Sequence, residues 1–184
     1  MPPPQAPSVL VFVGGVHGVG KTTALATFKH TNDCGIYSAS GLIREAKSNP
    51  DLILKSESTA LENQQWLIWG INSKRNLHKS ILLDGHFSLS LSTGQRIALP
   101  LEVFHRLDPK AIALFEDSAE RIHTRLISRD KNAPDIATIT EGLAFERDCA
   151  LRIAFGLKLK LKTFLVDKES FPNDLSAWIK QTIA

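Results

Sequence analysis

Hydrophobic positions along the chain fall into short continuous runs, separated by stretches with helical spacing. Val9 to Val13 (Val-Leu-Val-Phe-Val) is apolar throughout and rich in β-branched residues, as a strand buried on both faces should be. Ile36-Tyr37, Ile81-Leu82-Leu83 and Ala111 to Phe115 read as the second, third and fourth strands, the third ending on Asp84 and the fourth on Glu116-Asp117. Leu159 to Val166 alternates and then turns apolar, the pattern of a half-solvated strand that closes the sheet. Helical spacing fills the gaps. Thr22 to His30 follows a glycine-rich turn, and Ser40 is placed to cap a helix through Leu42, Ile43 and Ala46 that ends before Pro50. Glu57 to His78 lacks proline, carries Leu61, Trp66 and Trp69, and reads as a longer helix. Further helices are expected over 118–128 and 141–156, and Asn173 is placed to cap a last one reaching Ile183. Two polar, turn-rich stretches, 85–100 and 129–139, are long for simple connections and are expected to be functional loops.

Strands alternating with helices of this length predict βαβ units and a parallel sheet covered on both faces. At 184 residues the chain accommodates one such domain. With 43% hydrophobic and 22% charged residues, it can bury a core without disulfides or a structural metal. Its net charge of +3 suits anionic ligands but falls far short of a dedicated nucleic-acid surface. Cys34 and Cys149 stand far apart without metal-ligand spacing, so free buried thiols in a reducing compartment are expected. Residues 1–8, with three consecutive prolines, read as a disordered lead-in rather than a signal peptide, ahead of a domain over 9–184. No apolar run approaches the roughly 20 residues of a membrane span. A cytoplasmic location is therefore expected.

The candidate chemistry lies after the first strand. Gly15-Val16-His17-Gly18-Val19-Gly20-Lys21-Thr22 fits G-x-x-x-x-G-K-[ST] at every fixed position. A loop that wraps a phosphate must turn its backbone N–H groups inward, a curvature glycine adopts at little steric cost. The helix that follows adds its N-terminal partial charge. Gly15, His17, Gly18, Val19, Gly20, Lys21, Thr22 and Thr23 are thus the expected ATP contacts. Lys21 would reach the β- and γ-phosphates, the Thr22 hydroxyl would hold Mg²⁺, and Thr23 would lie near the α-phosphate. Asp84, at a strand end, is the candidate second metal group, acting through water; elsewhere such a carboxylate is more often a turn or helix cap.

The glycine cradle resembles the P-loop of nucleoside monophosphate kinases, in particular archaeal-type adenylate kinases, which usually have proline where His17 stands. Asp84-Gly85-His86 is similar to that family's Asp-Thr-His, and Ser38-Ala39-Ser40-Gly41-Leu42-Ile43-Arg44 to its Ser-Thr-Gly-Asp-x-Leu-Arg. The resemblance spans about 9–166. It implies a three-layer P-loop NTPase fold with a mostly parallel five-stranded sheet, helices on both faces, and small lid and acceptor-binding insertions. It places the acceptor region at about 38–78, with Ser38, Arg44 and His86 as substrate contacts and Arg44 on the acceptor phosphate. The lid falls at about 125–140. There Arg125 and Arg129 are the catalytic cations beside Lys21, while Arg121 fits a solvent-facing position and Arg147 is a further candidate.

The expected function is a small kinase moving the γ-phosphoryl of MgATP to a nucleoside monophosphate, AMP by resemblance. Ser40-Gly41 in place of Gly-Asp, and a lid poor in arginine, leave open another small acceptor such as a nucleoside or sugar. They also leave open a regulatory module that hydrolyses ATP slowly. Nothing in the pattern indicates a membrane partner, a nucleic-acid motor or a ring ATPase. The remaining histidines, His30, His78, His105 and His123, have no metal spacing.

Overall fold

A computed structural model describes residues 8–29, 34–48, 62–91 and 94–184. The lead-in over 1–7, His30, Thr93 and the 49–61 part of the expected acceptor region lie outside the described residues. Seven strands and seven helices follow in order among those described: β1 (Val9–Gly14), α1 (Lys21–Lys29), β2 (Cys34–Ser38), α2 (Ala39–Lys47), α3 (Glu62–Lys74), β3 (Ser80–Asp84), β4 (Ser88–Ser90), β5 (Arg96–Ala98), α4 (Leu101–Leu107), β6 (Ala111–Glu116), α5 (Ala119–Asp130), α6 (Ile136–Gly156), β7 (Lys160–Leu165) and α7 (Phe171–Ile183).

Five strands form one sheet in the order β2-β3-β1-β6-β7, and all four pairings are parallel. β1 sits at the centre, with Val11 opposite both Leu82 and Ala111. Strand alternation sorts the core into two layers. Leu10, Phe12, Ile81, Leu83, Ile112 and Leu114 meet the helices α2, α3, α4 and α6 on one face. Val11, Val13, Leu82, Ala113 and Phe115 meet α1, α5 and α7 on the other. Leu10 through Val13 are at most 1% exposed, and each such side chain contributes about 1.5–3 kcal/mol by leaving water.

Several expected boundaries shift. α2 is capped by Ser38, whose hydroxyl accepts from the Gly41 amide at 3.1 Å, rather than by Ser40. α7 starts after Ser170, three residues ahead of the expected cap at Asn173. The 85–100 stretch is no open loop: β4 and β5 pair antiparallel within it. The Phe87/Leu89 alternation is hidden among serines, and Ile97-Ala98-Leu99 is too short a run to signal a strand. α4 follows directly, burying Val103, Phe104 and Leu107. The 129–139 stretch is likewise mostly helical, because α5 runs to Asp130 and Asp135 caps α6 by accepting from the Thr138 amide at 2.6 Å. Only residues 131–135 connect the two helices, so the expected lid is a helix pair with a tight turn.

Candidate active site

Parallel strands end together on one side of the sheet, and the centre of that edge is where α/β folds of this kind bind ligands. β1 delivers its chain there into the loop that precedes α1. Gly15, Gly18 and Gly20 adopt φ of 143°, 81° and 108°, values that side chains resist. The surroundings add a second reason. A Cβ on Gly15 would stand 2.6 Å from the Phe115 carbonyl oxygen, and one on Gly18 2.8 Å from the Leu126 side chain. The loop is therefore packed against β6 and α5 as well as curved.

Lys21 is 6% exposed. Its ammonium donates to the carbonyls of Gly15 at 2.6 Å and Val16 at 3.2 Å, and lies 3.9 Å from the Asp84 carboxylate. Burial pushes its pKa down, while Asp84 and Glu146 oppose that shift. Beside it the Thr22 hydroxyl donates to Asp84 Oδ2 at 2.8 Å, across the β1–β3 boundary. The structure thus brings together the two groups expected at the metal. A hydroxyl and a single carboxylate are hard oxygen donors, the sparse protein set that Mg²⁺ takes when phosphates supply the rest. Among the described residues no three His, Cys, Asp or Glu side chains form a metal cage.

These groups line a cleft of about 740 Å³. Ser38 and Ser40 from the start of α2 form one wall, with Asp84, Gly85 and His86 after β3. Arg125 and Arg129 from α5 form the other, together with Thr124 and Ser128. His86 is pushed down to about 3, mainly by burial and further by the charges of Lys21 and His17; a hydrogen bond with the Gly15 backbone works in the opposite direction. Its imidazole is neutral throughout the physiological range. His17 is mostly exposed, and its pKa is lowered by partial burial and then by Arg129. Its Nε2 lies 2.6 Å from a guanidinium nitrogen of Arg129, which also pairs with Asp130.

Arg125 is held more firmly. It donates to the carboxylate of Asp117, whose side chain is fully buried, and to the Val19 carbonyl at 3.3 Å. It also borders a second pocket of about 690 Å³, lined by Gly20, Thr23, Ala24, Phe28, Val166, Phe171, Pro172 and Asn173 among others. Gly20, Thr23 and Arg125 belong to both cavities, so an apolar pocket opens directly beside the phosphate loop.

Two expected residues stand elsewhere. Arg44 is exposed on α2 and is not among the residues lining the cleft. Arg147 points to the end of β6, where it makes a two-pronged ion pair with Glu116 at 2.6 and 2.8 Å. Arg121, expected in solvent, bridges Asp117 and Asp167.

Two carboxylates escaped sequence reading. Asp117 has the same signal as Asp84, an acid directly after an apolar strand. Glu146 shares a helical face with Ile139, Gly142, Cys149, Ala150 and Ile153, all buried; an acid at an apolar position is its signal. The second pocket draws on residues from both ends of the chain, which no local pattern connects.

Taken together, the parallel sheet, the glycine cradle and the Lys21-Thr22-Asp84 group define a P-loop NTPase fold. A family model described as an AAA domain matches residues 14–141, and the chain belongs to that family. No curated protein sequence matches it significantly. Among solved structures it is similar to a gluconokinase from Sinorhizobium meliloti 1021, with a TM-score of 0.54 at 11% identity over 96% of this chain and 91% of that one. A tunicamycin resistance protein from Deinococcus radiodurans gives 0.52 at 11% identity over 83% and 97%. At such identity the likeness is one of fold. No described helix is long and apolar enough to cross a membrane.

Proposed function

We propose that the protein is a small kinase that transfers the γ-phosphoryl of MgATP to a small acceptor. The observation that carries this is the meeting of Lys21, Thr22 and Asp84 in a cleft of about 740 Å³ that continues beside them along Ser38, Ser40 and His86, where a second molecule fits. The adjoining apolar pocket accommodates the nucleoside of ATP, with Phe28, Val166 and Phe171 around the base.

In this reading the loop amides and Lys21 hold the β- and γ-phosphates, and Thr22 and Asp84 hold Mg²⁺. When bound, Mg²⁺ neutralises charge on the phosphate oxygens. Arg125 and Arg129 face the transferring group from α5 and meet its equatorial charge. His86 is too weak a base to take the acceptor's proton; as a neutral imidazole it orients an acceptor hydroxyl by hydrogen bonding. A loose transition state asks little of a general base, so positioning carries the catalysis.

A nucleoside monophosphate, AMP first, is the acceptor implied by the family resemblance. The geometry favours the other alternative, an acceptor recognised through hydroxyls, because Arg44 stands outside the cleft and the described residues beside Asp84 are two serines and an imidazole. The fold likeness to a gluconokinase is compatible with that choice. The test is incubation with MgATP and a panel of monophosphates, nucleosides, sugars and sugar acids, with product identification by mass. Transfer to a monophosphate alone would overturn the acceptor assignment. ADP released at the same rate with every acceptor and with none would overturn the kinase reading in favour of a slow hydrolytic switch.

A further inference from the structure

We propose that Glu146 is a positioning residue for the phosphate site: from α6 it fixes the segment Asp84–Ser88 and so aims Asp84 at Thr22. Its side chain is buried on the apolar face of α6, 2% exposed. One carboxylate oxygen accepts from the Phe87 amide at 3.0 Å, and the other from the Ser88 amide at 2.8 Å and the Ser88 hydroxyl. A buried carboxylate that faces neutral donors is costly to keep in a core unless those donors need it. Here they do, because Phe87 and Ser88 form the bend that opens β4, and their amides point to α6.

The segment is pinned along its length. The Gly85 amide donates to the Val13 carbonyl at 3.0 Å. The space beside Gly85 is closed, since a Cβ there would come within 2.7 Å of the Phe12 ring. The Phe87 ring packs 5.0 Å from Phe12 and 5.7 Å from Phe104. Glu146 holds the remaining end. Its negative charge is also felt at Lys21, which adds to the field that keeps that ammonium in the cleft. α6 is joined through residues 131–135 to α5, which carries Arg125 and Arg129. One helix pair therefore supports the cleft on both sides. Groups behind metal ligands commonly set metal affinity by orienting those ligands.

The proposal rests on Thr22 and Asp84 as the Mg²⁺-holding pair and not on the identity of the acceptor. Calorimetry of ADP binding with and without Mg²⁺ tests it without turnover. Glu146→Gln replaces one accepting oxygen with an amide donor that opposes a backbone N–H. The gain in ADP affinity conferred by Mg²⁺, the ratio of the affinities with and without the ion so that any change through Lys21 cancels, should fall about tenfold. Ile153→Ala opens a cavity on the same helix and should lower Tm while leaving the Mg²⁺ gain intact. If Glu146→Gln does not fold, Ser88→Ala removes only the hydroxyl donor and should reduce the gain about twofold. A wild-type gain in Glu146→Gln, or an equal loss in Ile153→Ala, overturns the proposal. Wild-type protein without any Mg²⁺ gain overturns it together with the Thr22–Asp84 assignment. Absence of transfer to every acceptor sinks the kinase reading alone.

Discussion

Burial of His86 ties the stability of the fold to pH, and His86→Asn isolates the effect. In the unfolded chain this imidazole takes up a proton near its ordinary value of 6.5, whereas in the folded protein it stays neutral down to about 3. Between those values the unfolded state binds more protons, so folding stability is complete above about 6.5 and drains away as pH falls toward 3. At pH 5 an ordinary histidine sits one and a half units below its pKa, while His86 remains well above its own. At about 1.4 kcal/mol per unit this costs the native state about 2 kcal/mol relative to pH 7.5. Asparagine does not titrate and retains an N–H for the Gly15 carbonyl. Urea unfolding followed by circular dichroism at pH 7.5, 6.5, 5.5 and 5.0 gives both stabilities, and their difference cancels the other titrating groups. Wild type should lose about 2 kcal/mol more than the variant across the series. A difference that stays constant within about 0.5 kcal/mol would show that His86 titrates like a free histidine and is open to water.

Lys21→Ala should lower ATP turnover at least about 10²-fold, the scale for losing one transition-state donor, and near-wild-type turnover would make the cradle incidental. Arg125→Ala should cut kcat by about 10²- to 10³-fold with a smaller change in either KM. Asp117 keeps Arg121 as a partner, so the variant should fold, and a kcat within threefold of wild type would remove Arg125 from the chemistry. Ser176→Trp places an indole in the apolar pocket beside the phosphate loop. It should weaken ATP at least about tenfold while sparing inorganic triphosphate, the size of effect expected where an apolar ligand loses its burial. Equal weakening of both would mean that the base binds elsewhere.

The sheet and the cradle were legible because each rests on local signals. Val9–Val13 reads as a buried strand from five residues, and Gly15–Thr22 carries its own geometric demand for glycine. Thr22 and Asp84 were also recoverable, since an acid at a strand end is visible without knowing which strand it adjoins. What failed was medium-range. The β4–β5 hairpin is three residues a side and rich in serine, too short for alternation to emerge. Asp130 to Pro134 looks like a loop, although the helices on either side extend to within five residues of each other. Glu146 and Asp117 acquire meaning only through Phe87, Ser88 and Arg125, partners that the tertiary fold supplies.

The register of the central strand also dictates when the nucleotide site can exist. Val11 pairs with Leu82 and with Ala111, the latter a hundred residues downstream. The cradle is encoded in eight consecutive residues, yet the walls that shape it, Phe115, Ile122 and Leu126, belong to β6 and α5. Parallel pairings over such separations carry the loop-closure entropy that slows folding. At about 5–20 residues per second, a growing chain carries its apolar first strand unpaired on that side for about 5–20 seconds. Val9–Val13 then keeps one apolar edge open, a segment a chaperone would cover during synthesis. Chains released before β6 emerges should aggregate rather than bind ATP.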